Sequence, residues 1–305
     1  MILSYADLLI PVTILILGVI TGGLSNATSG GAGVLTIYVL TAYASLSFKS
    51  ADATVLASST IFVLVGAISF YRKKQVHTQL ALTVGLSGVV GAYIGATVAI
   101  KSNTADLEKG FGVFTLALAF YTTYMFYSEW RKKKKLSKDA SMLPQITGGS
   151  DGPVPSGTSV QGGTKNLAGR FGGKDPASLA VQIAKGILIG LVTGIFGVSL
   201  ASLSVVLFII LFRLDMKLVL GTSLFASFLR YAGGTVAFLN TGDINMLYFV
   251  LLTIGGIAGS IVGAKVILSD KKGSLEAYIK LIIILMLLFI SYEFLLKFYL
   301  PLPHF

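Results

Sequence analysis

The sequence predicts an all-α polytopic membrane protein made of two related halves. Three observations carry this: apolar runs of spanning length recur along the chain, one polar stretch divides them, and a glycine pattern in the first set returns in the second. Of 305 residues, 54% are hydrophobic and 12% charged, with a mean hydropathy of +0.83. A water-soluble domain of this size has no use for an apolar run such as 281–296, whereas a helix crossing a bilayer needs about 20 such residues. The chain has room for roughly eight to ten crossings and none for a large soluble catalytic domain.

The apolar runs fall at 8–24, 31–44, 51–71, 79–100 and 107–127, then at 179–196, 199–212, 218–239, 244–268 and 277–300. The N-terminus carries Asp7 and no Lys or Arg before the first run. It therefore lacks the basic head of a signal peptide, and the run is expected to be a retained helix. Between the two sets, residues 130–177 open with Arg131-Lys132-Lys133-Lys134-Lys135 and continue rich in Gly, Ser, Thr and Pro. Such a composition cannot bury enough apolar surface to order itself. The expected organisation is a first transmembrane repeat over 1–129, a flexible cytoplasmic linker over 130–178, and a second repeat over 179–305.

The relation between the halves is visible within this one chain. Gly88-x-x-Gly91-x-x-x-Gly95-Ala96 returns 168 residues later as Gly256-x-x-Gly259-x-x-x-Gly263-Ala264. Gly18-Val-Ile-Thr-Gly22 matches Gly190-Leu-Val-Thr-Gly194 at a shift of 172, and Ala57-Ser58-Ser59 matches Gly221-Thr222-Ser223 at 164. Small insertions are expected to explain the drift. The net charge of +11 resides in short runs between apolar segments, which orients helices and does not point to nucleic acid. Arg72-Lys73-Lys74 follows the third run, whereas Asn240-Thr-Gly-Asp243 after its counterpart has no basic residue. Equivalent loops are thus expected to face opposite sides, making the halves inverted repeats with both termini outside.

In each half the first pair of runs is interrupted by small and polar residues. The first break holds Ser25, Asn26, Thr28, Ser29, Gly30 and Gly31, and the second holds Gly197, Ser199 and Ser202. Broken helices present N–H groups at half-helix N-termini, which attract anions and cost little where they line a cavity. Close helix packing through small residues is the competing reading, and it explains Gly91, Gly95, Gly259 and Gly263. Ser58, Ser59 and Thr60, with Thr222 and Ser223 in the other half, lie roughly 9–12 Å along their helices. Their hydroxyls either donate to an anion or bond back to a carbonyl of their own helix. Arg230 lies roughly 20 Å from Lys217 and about 14 Å from Leu239 along the helix, too deep for easy snorkelling. A guanidinium at that depth costs on the order of 2.5–3.5 kcal/mol on insertion scales and persists where it meets an anion, a carboxylate or water. Asp52, Asp215 and Asp243 fall near segment ends, where a cap or interfacial charge is expected.

Catalysis finds no support. The chain has no cysteine, only His77 and His304, and no Walker, HExxH or nucleophile-elbow sequence, so no metal, cofactor, enzyme activity or ATP use is expected. At the residues just described, the sequence resembles the TauE/SafE family of sulfite and organosulfonate exporters. Gly30-Gly31-Ala-Gly33 before an apolar run, Gly221-Thr222-Ser223-Leu224 with Tyr231 later, and Gly256-x-x-Gly259-x-x-x-Gly263-Ala264-Lys265 carry the resemblance. The family's glycine run is replaced by Ser199-Leu200-Ala201 in the second half. The resemblance implies a multi-pass carrier in a prokaryotic inner membrane, exporting sulfite, thiosulfate or organosulfonates without ATP. The expected mechanism is alternating access about an anion held between the breaks, with a proton or sodium as candidate coupling ion and a homo-oligomer allowed. An anion channel, a carrier of a different small anion, and a membrane scaffold or sensor remain open.

Overall fold

The computed structural model describes residues 5–30, 32–141, 176–197, 216–269, 284–285 and 287–295. The described residues form helices and their connections, with no strand among them. In chain order the helices are α1 (Tyr5–Thr28), α2 (Gly33–Ala42), α3 (Phe48–Arg72), α4 (Thr78–Lys101), α5 (Thr104–Ser141), α6 (Pro176–Phe196), α7 (Met216–Phe238) and α8 (Met246–Ser269). A last stretch, α9, covers residues 287–295. Five apolar stretches among the described residues are long enough to cross a membrane: Leu9–Thr28, Phe48–Arg72, Thr78–Lys101, Leu179–Phe196 and Met246–Ser269.

Local signals place the helix ends. Ser47 caps α3 by accepting from the Ser50 N–H at 3.2 Å, and His77 caps α4 by accepting from Leu80 N–H at 3.3 Å. α5 runs through the basic cluster to Ser141, because Lys, Arg and Leu are strong helix formers once a preceding helix has nucleated. α2 has only 10 residues, about 15 Å of helix, which covers half of a hydrocarbon core of about 30 Å.

Lipid offers no hydrophobic drive to bring helices together, so packing depends on small residues that let backbones meet. α1 turns Leu9, Val12, Ile16, Val19 and Ile20 outward and lays Gly18 and Gly22 on α8. A methyl group on Gly22 would overlap the Gly256 carbonyl oxygen. α6 packs on α4 in the same manner, where a methyl on Gly190 would overlap the Gly88 carbonyl. The first helix of each set therefore lies against the fourth of the other, and α3 and α7 pack together at the centre.

These contacts repeat with the two sets exchanged and at one offset. Gly91 meets Ile187 as Gly259 meets Val19, and Gly95 meets Leu191 as Gly263 meets Gly23. Lys49 Nζ donates to the Ile100 carbonyl at 2.8 Å, and Lys217 Nζ to that of Leu268 at 2.8 Å. Asn245 N–H donates to Thr54 Oγ1 at 3.0 Å, and His77 N–H to Thr222 Oγ1 at 2.9 Å. Every pair is related by the 168 residues that separate Gly88 from Gly256. By these contacts Gly22 corresponds to Gly190 and Thr54 to Thr222, so the shifts of 172 and 164 are each one helical turn out of register, and no insertion is needed. The same bonds set direction: the start of α3 meets the connection after α7, and the start of α7 meets the connection after α3, so the two central helices run antiparallel.

Candidate functional site

α1 continues as helix through Ser25, Asn26 and Thr28, which narrows the first break to residues 29–32. Ser29 takes a left-handed conformation at φ 54° and Gly30 follows at φ 98°, so the chain leaves the helix within two residues. Gly30 N–H still donates to the Ser25 carbonyl at 2.8 Å. α2 then starts from Ala32, a cap residue with no side-chain hydrogen bond to offer the first-turn N–H groups.

α7 holds this turn from the side. Ser227 Oγ donates to the Ser29 carbonyl at 2.9 Å, and Tyr231 Oη donates to the Gly30 carbonyl. Ser29 Oγ reaches the Leu220 carbonyl at 3.4 Å. Arg230 Nη2 donates to Ser227 Oγ at 2.7 Å, so the guanidinium is tied through one hydroxyl to the carbonyl that ends α1. Arg230 is 0% exposed, and its stem lies on Gly88, where a methyl would stand 2.6 Å from Cγ. It is roughly 21 Å of helix from Met216 and about 12 Å from Phe238. A buried guanidinium held at this turn is suited to an oxyanion, because it offers a planar fork of donors.

The other expected site residues divide by what their polar atoms do. Ser25 Oγ donates to Thr21 O at 2.7 Å, Thr28 Oγ1 to Leu24 O at 3.0 Å, and Ser58 Oγ to Val55 O at 3.2 Å, all within their own helices. Thr222 Oγ1 donates to Leu218 O at 2.6 Å and accepts from His77 N–H, which anchors the connection between α3 and α4. Asn26 Nδ2 bonds Gly22 O at 3.1 Å and Ser260 O at 3.0 Å, whereas its Oδ1 has no hydrogen-bond partner among the described residues. Ser223 Oγ likewise has none among them, and Ser59 is buried. Gly31, Ser199 and Ser202 lie outside the described residues. Ser227 escaped the sequence reading, although it stands one turn before Arg230 on the same helix face.

A family model described as "Sulfite exporter TauE/SafE" matches residues 14–294, nearly the whole chain. The protein belongs to the TauE/SafE family. Two curated relatives from Bacillus subtilis (strain 168) match along most of their length. The chain is 23% identical over 289 residues to one named "Probable membrane transporter protein YunE", covering 92% of this chain and 97% of the relative. It is 24% identical over 259 residues to "Probable membrane transporter protein YdhB", covering 85% and 89%. No solved structure matches. A TauE/SafE membrane transporter is consistent with the five apolar stretches long enough to cross a membrane.

In this TauE/SafE protein the end of α6, which leads into the second break, can be compared with the end of α1. At the 168-residue offset Gly197, at φ 61°, stands where Ser29 stands, and both leave their helix in the left-handed region. Phe62 packs on Gly256 as Arg230 packs on Gly88. Asp52, which corresponds to Leu220, lies beside Gly197 and is 0% exposed. The sequence reading set Asp52 at a segment end, yet α3 begins at Phe48 and the end of α6 covers the carboxyl.

Proposed function

We propose that this TauE/SafE-family transporter is a secondary carrier that exports small sulfur-containing oxyanions such as sulfite, thiosulfate or organosulfonates. The observation that carries this reading is Arg230, a buried guanidinium linked through Ser227 to the turn that precedes α2. A tetrahedral or pyramidal oxyanion takes two parallel bonds from a guanidinium and further bonds from N–H groups at a helix start. Asn26 Oδ1, an acceptor, suits the protonated or amino end of such a molecule, and Ser223 Oγ can donate to it.

In this reading the two sets of helices are inverted repeats that rock about the anion, exposing it to one side and then the other. The exchange of contacts at a single offset and the antiparallel α3 and α7 support that symmetry. The basic runs at Arg72–Lys74 and Arg131–Lys135 favour a cytoplasmic side for both, with the termini outside in a prokaryotic inner membrane and residues 130–178 as a cytoplasmic linker. α2, too short to cross, supports a half-helix whose N-terminus ends at the site.

Counterflow in proteoliposomes tests the proposal, with labelled sulfite, thiosulfate, sulfate and a sulfonate as probes. Saturable exchange of one or more sulfur anions is expected, with Arg230→Gln folded and inactive. Non-saturating conductance without counterflow would make the protein a channel. Normal flux in Arg230→Gln would remove Arg230 from the site.

A further inference from the structure

The helix ends that lead into the two breaks share a left-handed residue, Ser29 and Gly197, and differ in the charge beside it. Beside the first stands Arg230; beside the second stands Asp52, whose two carboxyl oxygens meet no hydrogen-bond donor among the described residues. Gly197 leaves room for this carboxyl, because a Cβ at that position would overlap Asp52 Oδ1. At the equivalent place in the first break, Leu220 offers only its backbone carbonyl, to Ser29 Oγ. A carboxyl group inside a membrane helix bundle is costly to keep unless it serves an ion path, and such groups recur as proton relays.

We infer that Asp52 is a proton-binding site through which transport is coupled to the proton gradient. The inference rests on the carrier reading above and adds the coupling ion to it. The step is an O–H bond formed on the Asp52 carboxylate when the carrier exposes it to one side, and broken when the carrier exposes it to the other. No electron transfer and no co-reactant are involved. A proton fits better than a metal cation, since a hard cation gathers about six oxygens, whereas the space beside Gly197 is shared by the carboxyl and the Ile37 Cδ1 methyl. The charged and titratable groups on elements around this end of α3 are Lys49, Tyr38 on α2, Lys101 on α4, Glu108 and Lys109 on α5, Asp243 after α7, and Glu293 on α9. Lys49 is committed to the Ile100 carbonyl, and none of these groups pairs with Asp52 among the described residues.

Two measurements test the site. In proteoliposomes, the ratio of labelled sulfite uptake under an imposed pH gradient to exchange at equal pH should exceed one for the wild-type chain. It should fall to one in Asp52→Asn and Asp52→Leu; the leucine variant copies the residue at the equivalent position of the other half. An unchanged ratio in both variants, or uptake driven by sodium in place of protons, overturns the inference. Infrared difference spectra of the purified protein should show a protonated-carboxyl C=O band that titrates and is lost in Asp52→Asn. Absence of that band overturns the proton site even if flux is normal. The band without any anion flux sinks the carrier reading and leaves the proton site standing.

Discussion

At the end of α1 the chain turns through Ser29 and Gly30 against Ser227, Arg230 and Tyr231; at the end of α6 it turns through Gly197 against Asp52. The glycine-face contacts of α1 on α8 and of α6 on α4, which lead into these ends, repeat at one offset. The polar side chains do not: Arg230 answers to Phe62, Tyr231 to Val63, and Leu220 to Asp52. Packing between glycine faces tolerates almost no change, because a single methyl meets a carbonyl oxygen, whereas side chains at the break are free to differ once the turn is secured. A repeated scaffold thus holds a guanidinium beside one helix end and a carboxyl beside the other.

The comparison can be broken at several levels. Gly88→Leu and Gly256→Leu should have the largest effect, each costing about 3 kcal/mol or more through overpacking and removing the monodisperse peak in size-exclusion chromatography. Failure of one variant alone would show that the two faces are not equivalent. Arg230→Gln should lower sulfur-anion counterflow about a hundredfold, within the range for removing one partner of a buried charged contact. Phe62→Leu, at the matching position, should change it far less, since the swap removes neither a charge nor a hydrogen bond. Tyr231→Phe should reduce initial rates about tenfold by freeing the Gly30 carbonyl, a loss of roughly 1–1.5 kcal/mol. Smallest, and the sharpest test of equivalence, are Thr54→Val and Thr222→Val. Each removes one acceptor for an incoming N–H and should cost about 1 kcal/mol, so matched falls in melting temperature are expected.

Much of the scaffold was legible. Hydropathy marked the helices, and the Gly88 and Gly256 patterns revealed the duplication because their spacing of three and then four residues occurs in one register only. The α1 and α6 match slipped for a physical reason. Glycines four apart, as at Gly18 and Gly22 or Gly186, Gly190 and Gly194, look alike after a one-turn slide, and only their partners on α8 and α4 fix the register. Arg230 was legible because a buried cation stands out in an apolar run. Ser25, Thr28 and Ser58 were ambiguous, since nothing local decides whether a hydroxyl bonds its own helix. Asp52 reads from the sequence as an end-of-segment charge because its burial is tertiary: the residue beside it, Gly197, is far away in the sequence.

The reciprocal seating of α1 on α8 and α6 on α4 bears on how the protein is made. When the ribosome has delivered α1, the surface that will meet Gly18 and Gly22 does not yet exist, and it is completed only when the chain has passed Gly256. Throughout that interval the glycine face must wait in lipid or against the insertion machinery. Neither half can reach its native contacts alone, so a nascent chain cut short before α8 leaves α1 without its seat and becomes a substrate for membrane quality control rather than half a transporter.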